Sequence, residues 1–546
     1  MGDSDQVEVL KLLVAENYLS KDDARAAMAQ SPLRPLDFLI SQELITEELI
    51  GQALAESHGV SYVDTKMHIP DAQMVKGLPE EFAERNRAVI YDIKADTVYV
   101  ASDKPDQADL LPELTSILAP RKVNLGYALP HYIDEILLLY RDSLETRFST
   151  ILQSSTAVAS EIVEAIIDDA LAYEASDIHL EPSIDMVRVR FRLDGVLHEA
   201  GDFDKQFWEV VLNRIKVLAN MRIDSHDALQ DGAVRYDSDE HGQVNIRVSI
   251  APALDGETVV MRLLTEKNEF FTLADLGLSQ DMRTQLQKVA DRPFGMIVVT
   301  GPTGAGKTTT LYSILKYLST PRKNITTIED PVEYRLRGIN QIQVNPDANI
   351  TFANGLRSLA RQDPDVILVG EIRDSETAQI AVNAALTGHL VLTTFHANDA
   401  ATAIPRLFDM GIEPFILAST LQMVLSQRLI RKIDTSARTS YEVERSKLSS
   451  IVPKPERYFD DKKITLYQGK ASEDGRDGYR GRVGVFESLQ VSAKMRELLL
   501  KKPSRDEIWK QARVEGAVSM FEDGIAKVRE GLTTIEELVR VVPAED

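Results

Sequence analysis

Gly301-Pro302-Thr303-Gly304-Ala305-Gly306-Lys307-Thr308 constrains the fold of this chain more than any other stretch. It fits G-x-x-x-x-G-K-[ST], a phosphate-binding loop, and its surroundings are those such a loop requires. The apolar run Met296 to Val299 before it reads as a strand, and Thr309 to Leu318 after it reads as a helix. Glycines let the backbone wrap an anion with N–H groups turned inward. The helix N-terminus adds a favourable dipole. On this reading Gly301, Pro302, Thr303, Gly304, Ala305, Gly306 and Thr309 cradle a nucleoside triphosphate. Lys307 reaches the β/γ-phosphates and the Thr308 hydroxyl binds Mg²⁺. What the nucleotide drives must be read elsewhere.

The chain has 546 residues, enough for about three or four domains. Its net charge of −23 argues against free nucleic acid as a general partner, because phosphate backbones call for a basic surface. There is no cysteine, hence no disulfide and no thiolate metal site, which fits a reducing compartment. Met-Gly-Asp-Ser-Asp-Gln at the start is acidic and polar, unlike a signal peptide, and no apolar run approaches the ~20 residues of a spanning helix. A cytoplasmic protein is expected, reaching a membrane only through partners.

An internal repeat opens the chain. The segment from Leu10 aligns with that from Leu36 at an offset of 26 residues, each copy reading as helix, turn, N-cap (Ser20, Thr46) and helix. Gly59 to Asp64 and Ala88 to Ser102 read as strands. Ser149, Ser154, Ser155 and Thr156 mark a linker. In the middle, Val187 to Leu193 alternates strictly, placing Arg188, Arg190 and Arg192 on one face, while Arg247 and Arg262 stand on two further strands. A helix-flanked antiparallel sheet is expected there. From about Leu273 strands and helices alternate as in a parallel α/β sheet. Three strands end in polar residues: Glu329-Asp330, Gly370-Glu371 and Thr394 with His396. Carboxyl ends of parallel strands share the ligand-binding edge, so these residues should share the phosphate-loop site. Beyond about Leu421 the chain reads as mostly helical, with a polar stretch from Asp434 to Asp477.

Phosphoryl transfer to water needs charge neutralisation, a positioned water and cations near the γ-phosphate. Glu371, ending an apolar strand, suits the orienting of that water; the alternative is a solvated loop carboxylate. Glu329, Asp330 and Glu333 form a second acidic cluster able to hold Mg²⁺ through water, or else a turn around Pro331. His389 and His396 have no partner at metal-ligand spacing, so zinc is not expected. His396 is either a γ-phosphate sensor or a structural histidine. Arg357 and Arg361, four apart on one helix, form with Arg373 either a surface ion-pair network or a subunit-interface patch. Without a γ-phosphate arginine in the loop itself, the middle-unit arginines are candidate fingers, against the plainer alternative of a solvated sheet face.

Together these residues resemble the secretion ATPase superfamily of type II secretion and type IV pilus assembly, over nearly the whole chain. Ser176-Asp-Ile-His-Leu-Glu-Pro, Arg192-Leu-Asp-Gly and Gln230-Asp-Gly are similar to its middle domain. Gly301–Thr308, Ile328-Glu-Asp-Pro-Val-Glu333, Asp363 to Glu371-Ile-Arg-Asp and Gly388 to His396 resemble its Walker A, Asp, Walker B and His boxes, in order. The resemblance implies an α/β protein: a RecA-like P-loop ATPase domain (271–546, with a helical C-terminal region), preceded by an α+β, PAS-like middle domain (157–270), a linker (146–156) and a small helical/α+β N-terminal domain (1–145). It implies a homohexameric motor that uses ATP and Mg²⁺, in which Arg247 and Arg262 approach the phosphates and Arg357, Arg361, Arg373 and Arg406 are needed for activity. Type IV pilus assembly is the expected task, type II secretion the alternative; a nucleotide-gated scaffold and a nucleic-acid translocase are the competing classes. Two departures stand out. Many relatives carry a four-cysteine zinc insert after the segment like Gln427-Arg-Leu-Ile-Arg-Lys, whereas Ile433 to Gly478 has no cysteine. The N-terminal repeat resembles a domain that binds cyclic di-GMP through Arg-Leu-Gly starts, but here the starts are Leu10-Lys11-Leu12 and Arg34-Pro35-Leu36. Docking to an inner-membrane platform protein or adaptor is therefore expected in preference to cyclic di-GMP binding.

Overall fold

The computed structural model describes all residues except 1–2, 17, 31–34, 42–43, 64–69, 71, 141–143, 145–146, 149, 152–157, 239–241, 265–270, 436, 471–476 and 545–546. The described residues fall into two compact units, one drawn from residues 1–267 and the other from 268 onward. Arg34 and most of the expected linker lie outside the described residues. The described part of that linker is packed: Phe148 is buried among middle-region side chains and Arg147 bonds Asp169.

Four helices open the first unit, Asp3–Ala15, Lys21–Gln30, Pro35–Ser41 and Glu47–Ser57. Ser20 and Thr46 accept the N–H groups of Asp23 and Leu49 at 3.1 and 3.2 Å, as N-caps should. Leu10, Leu13, Leu36, Leu39 and Ile50 of both repeats share one core. A four-stranded sheet follows, in the order β1 (Ser61–Tyr62), β4 (Lys122–Tyr127), β3 (Thr97–Ser102), β2 (Ala88–Lys94). The middle of the chain forms a six-stranded antiparallel sheet. Its strands are β5 (Asp177–Pro182), β6 (Met186–Leu193), β7 (Val196–Asp204), β8 (Gln230–Ser238), β9 (Gly242–Ala253) and β10 (Gly256–Leu264), ordered β7-β6-β5-β10-β9-β8. Helices Val158–Ala172 and Trp208–Leu218 contribute Ile162, Ile166, Val211 and Ile215 to the core of its apolar face. Val187, Val189 and Phe191 turn into that core, leaving the intervening arginines on the other face.

The second unit is built on a seven-stranded sheet of order β13-β12-β14-β15-β11-β16-β19. These are β11 (Gly295–Thr300), β12 (Ile325–Glu329), β13 (Asn340–Gln343), β14 (Val366–Val369), β15 (Leu390–Phe395), β16 (Leu421–Ile433) and β19 (Tyr479–Gln490). Only β19 runs antiparallel to its neighbour. β11, β14 and β15 are buried along their whole length. Both faces are covered, which is why these strands read as continuous apolar runs. Helix Lys307–Leu318 packs Leu311, Ile314 and Leu315 on one face; Ala378, Ala381, Val382 and Ile404 of helices Ser375–Leu386 and Ala400–Asp409 cover the other.

The region beyond Leu421 corrects the expectation of a mostly helical chain. Leu421–Ile433 is a 13-residue strand paired on both sides, parallel to β11 and antiparallel to β19. Its helix-compatible mixture of Leu, Gln and Met is overridden by burial between two strands. The polar stretch contains a hairpin, β17 (Arg438–Glu444) with β18 (Lys463–Gly469). Leu448, Val452, Tyr458, Phe459, Ile464 and Leu466 of this segment share a core with Phe521, Ile525 and Leu538 of the C-terminal helices. Among the described residues no helix is long and apolar enough to cross a membrane.

Candidate active site

β11 delivers the chain to the loop at Thr300. Gly301 has φ +148°, and a Cβ there would stand 2.6 Å from the Gln427 carbonyl oxygen. Gly306, at φ +82°, is the N-cap of helix Lys307–Leu318. Both conformations favour glycine. Gln427 braces the loop from β16. Its amide donates to the Ala305 carbonyl, and its carbonyl oxygen accepts from Thr310 Oγ1 at 2.7 Å. Lys307 Nζ donates to the carbonyls of Gly301 and Pro302, both at 2.9 Å. Burial holds the Lys307 ammonium below its usual pKa; the Glu371 charge opposes that fall and the Arg428 charge adds to it. Thr308 and Thr309 follow in the first turn of the same helix.

Two strands away, β14 leads through Gly370 into Glu371. The Gly370 N–H donates to Ile328 O at 2.8 Å, and its carbonyl accepts from Thr394 Oγ1 at 2.7 Å. The Glu371 side chain is only 15% exposed. One carboxylate oxygen lies 2.5 Å from an Arg373 nitrogen, the other 3.4 Å from His396 Nε2. Hydrogen bonding to Glu371 raises the Arg373 pKa. Arg406 donates to the His396 carbonyl and lies 5.6 Å from the centre of the Phe395 ring. A cleft of about 570 Å³ opens beside this cluster, lined by Arg373, His396, Arg406 and Asp409 among others. His389 instead sits at the opposite end of β15, with Nδ1 2.8 Å from Ala384 O.

The acidic cluster is divided. Asp330 and Glu333 are exposed, whereas Glu329 is 3% exposed. Its carboxylate accepts from the Tyr312 hydroxyl, from Thr327 Oγ1 at 2.5 Å and from Gln341 Nε2 at 3.3 Å. Burial raises the Glu329 pKa, against those hydrogen bonds. The expectation that Glu329 joins Asp330 and Glu333 around a cation is therefore corrected: alternation along β12 turns it inward, onto helix Lys307–Leu318. Among the described residues no group of three or more His, Asp or Glu is arranged to hold a metal ion.

The remaining arginines are dispersed. Arg357, on helix Phe352–Leu359, pairs with Glu376 at 2.5 Å; Arg361 lies exposed in the turn beyond that helix rather than on it. In the other unit, strand register sets Arg247 opposite Arg262, Arg262 opposite Asp177 and Asp177 opposite Arg192. Arg262 Nε donates to Asp177 at 2.9 Å, and Arg192 Nε lies 3.6 Å from the same carboxylate. The result is a cross-strand row in which Arg262 and Arg192 share one carboxylate and Arg247 stands beside Arg262. Sequence reasoning missed Tyr312, Gln427 and Arg428. The only signal was a Gln-Arg-Leu run, whose meaning depends on a strand not expected there.

A family described as Type II/IV secretion system protein matches residues 152–540, and the MshEN domain matches residues 58–146. The chain is 35% identical to type II secretion system protein E of Xanthomonas campestris pv. campestris, over 98% of this chain and 99% of that one. It is equally 35% identical to the type IV pilus assembly ATPase PilB of Myxococcus xanthus, over 97% and 98%. The ATPase DotB of Yersinia pseudotuberculosis shares the fold, with TM-score 0.52 and 22% identity over 70% of this chain and 93% of that one. The expectation against cyclic di-GMP finds no support here. The N-terminal region matches a domain named for MshE, and a structure described as MshE with cdg aligns over 24% of this chain and 98% of that one, at 24% identity and TM-score 0.19, too weakly to argue either way.

Proposed function

Because this chain belongs to the type II/IV secretion ATPase family and is an ATP-hydrolysing enzyme, we propose that it works as a homohexameric motor powering type IV pilus assembly, the polymerisation of pilin at the inner membrane. Its place is the cytoplasm, peripheral to that membrane through a platform protein and an adaptor. The observation that carries the reading is that β11, β14 and β15 end together at one edge of the parallel sheet, where the loop bearing Lys307 follows the first and Glu371 meets Arg373 and His396 after the other two. Gly301 to Thr309 cradle the phosphates, and Lys307 turns from the loop carbonyls to the β/γ-phosphates. Glu371 orients the attacking water, with Arg373 and His396 holding its two oxygens. His396 registers the γ-phosphate through that same carboxylate.

Mg²⁺ fits the donors present, since it keeps several waters and needs few protein oxygens. The Thr308 hydroxyl is one, with Asp330 and Glu371 acting through water, and the ion supplies neutralisation of phosphate charge. Glu329 is a positioning residue that ties the Asp330–Glu333 turn to the phosphate-loop helix. Arg247 and Arg262 enter from the middle region of an adjoining copy and stabilise the transferring phosphoryl group. Arg357, Arg361 and Arg406 serve the contact between copies. ATP binding then draws one copy's middle region onto its neighbour, and hydrolysis releases it, provided the two states differ in ATP affinity.

Type II secretion is the second reading, supported by the equal likeness to protein E. Deleting the gene separates them: loss of surface pili with exported proteins unchanged supports the first, and the reverse supports the second. For the chemistry, phosphate release by Lys307→Ala should be abolished; a Lys307→Ala protein that turns over at the wild-type rate removes the assignment.

A further inference from the structure

β16 outruns β11. Register pairs Thr300 with Ser426, so Gln427 and Arg428 continue alongside the phosphate loop. Gln427 is accounted for by its two bonds to the loop and its helix. Arg428 is not. It lies against Gly301, with Nη1 3.6 Å from the point a Cβ would occupy there. Its polar contacts are long and reach only backbone: 3.4 Å from Nη1 to Gln427 O and 3.3 Å from Nη2 to Asn398 O. Among the described residues no carboxylate reaches it at ion-pair distance.

The two acids whose charge acts on Arg428 are engaged elsewhere. Asp399 caps helix Ala400–Asp409 through Thr402 N–H at 2.6 Å and lies 3.4 Å from Arg505; Glu487 accepts from Ala400 N–H at 2.8 Å. Arg373 and Arg406, by contrast, already hold Glu371 and the His396 carbonyl. Burial pushes the Arg428 pKa down, with Asp399 and Glu487 acting against that. A guanidinium kept half out of water with no paired anion is costly, and a polyanion arriving beside it removes the cost.

We propose that Arg428 is a cation of the nucleotide site supplied by the same chain, leaving the two backbone carbonyls to contact the β/γ end of a bound nucleoside triphosphate. This deepens the functional reading and rests on Gly301–Thr308 being the triphosphate loop. The β/γ end is favoured because Arg428 Nη1 flanks Gly301, 3.6 Å from the point a Cβ would occupy there, and the carbonyl of that same glycine takes Lys307 Nζ at 2.9 Å, the residue directed to those phosphates. A planar fork of donors beside the lysine's point charge suits a phosphate oxygen pair. Arg428 then stands in addition to the arginines of the neighbouring copy.

The test measures binding of ADP and of a non-hydrolysable ATP analogue to the full chain, with Arg428→Gln and Arg428→Lys. Loss of a charge-assisted contact should weaken the analogue by about tenfold to a hundredfold and ADP by less. Arg428→Lys should keep part of the affinity. The nucleotide-free melting temperature of Arg428→Gln should stay level or rise, because an unpaired buried charge has gone. Unchanged affinities overturn the proposal. So does a fall in the nucleotide-free melting temperature with affinities intact, the mark of a purely structural arginine. If wild-type protein binds neither nucleotide, the underlying site reading falls as well, and the two failures are told apart.

Discussion

Glu371 stands between Arg373 and His396, one carboxylate oxygen toward each. Glu371→Gln keeps the shape and removes the charge. Turnover should drop by about 10²- to 10⁴-fold, the span of a lost proton-transfer or water-orienting group, while ATP remains bound. Phosphate release together with nucleotide retained after gel filtration checks both halves. Glu329 makes the opposite kind of prediction. Its folded-state pKa is raised by burial, so folding favours the protonated form. The stability it contributes is complete below the ordinary carboxylate range and is lost as pH rises through the raised value. Glu329→Gln should remove that loss. The melting temperature of wild type should therefore gain on the variant as pH is lowered from about 8 to about 5. A constant difference across that range contradicts the inward placement. Glu371 was legible in the sequence because an apolar run ending in one acid marks a strand end. Which way Glu329 faces was not, because strand parity becomes readable only once Tyr312 is seen opposite it.

At the scale of elements, β16 is where sequence and structure part. Leu421–Ile433 has apolar residues at both helical and strand spacings, and only pairing with β11 and β19 settles the choice. The N-caps Ser20 and Thr46, the alternating arginine strand and the phosphate loop were legible because each carries a local rule. The register that brings Gln427 to Ala305 is non-local. Gln427→Ala leaves the Ala305 carbonyl and the Thr310 hydroxyl without their partner in a buried setting, a loss of about 1–3 kcal/mol. Thermal unfolding should show it, with weaker nucleotide binding beside it. The cysteine-free segment after β16 is held by apolar packing, with Tyr458 and Phe521 rings 5.2 Å apart. Leu448→Ala should cost about 2–5 kcal/mol, whereas EDTA should leave the melting temperature of the nucleotide-free protein unchanged. A fall on chelation would mean that a metal, and not this core, secures the segment.

For the whole molecule, the proposed function divides one chemistry between the two units. The phosphate loop and Glu371 belong to the second unit; the row Arg247, Arg262, Asp177 and Arg192 belongs to the first. The sequence placed those arginines on strands, but the shared carboxylate emerged only from cross-strand register. On the proposed function, ATP is hydrolysed where the loop of one copy meets the arginines of another. Co-expressing Arg262→Ala with Lys307→Ala and measuring ATP turnover tests this most directly. Each variant alone should be nearly inactive. In mixed assemblies about a quarter of the sites should join an intact loop to an intact arginine from the adjoining copy, and activity should return in proportion. Turnover no greater than the sum of the two separate variants would contradict a site shared between copies.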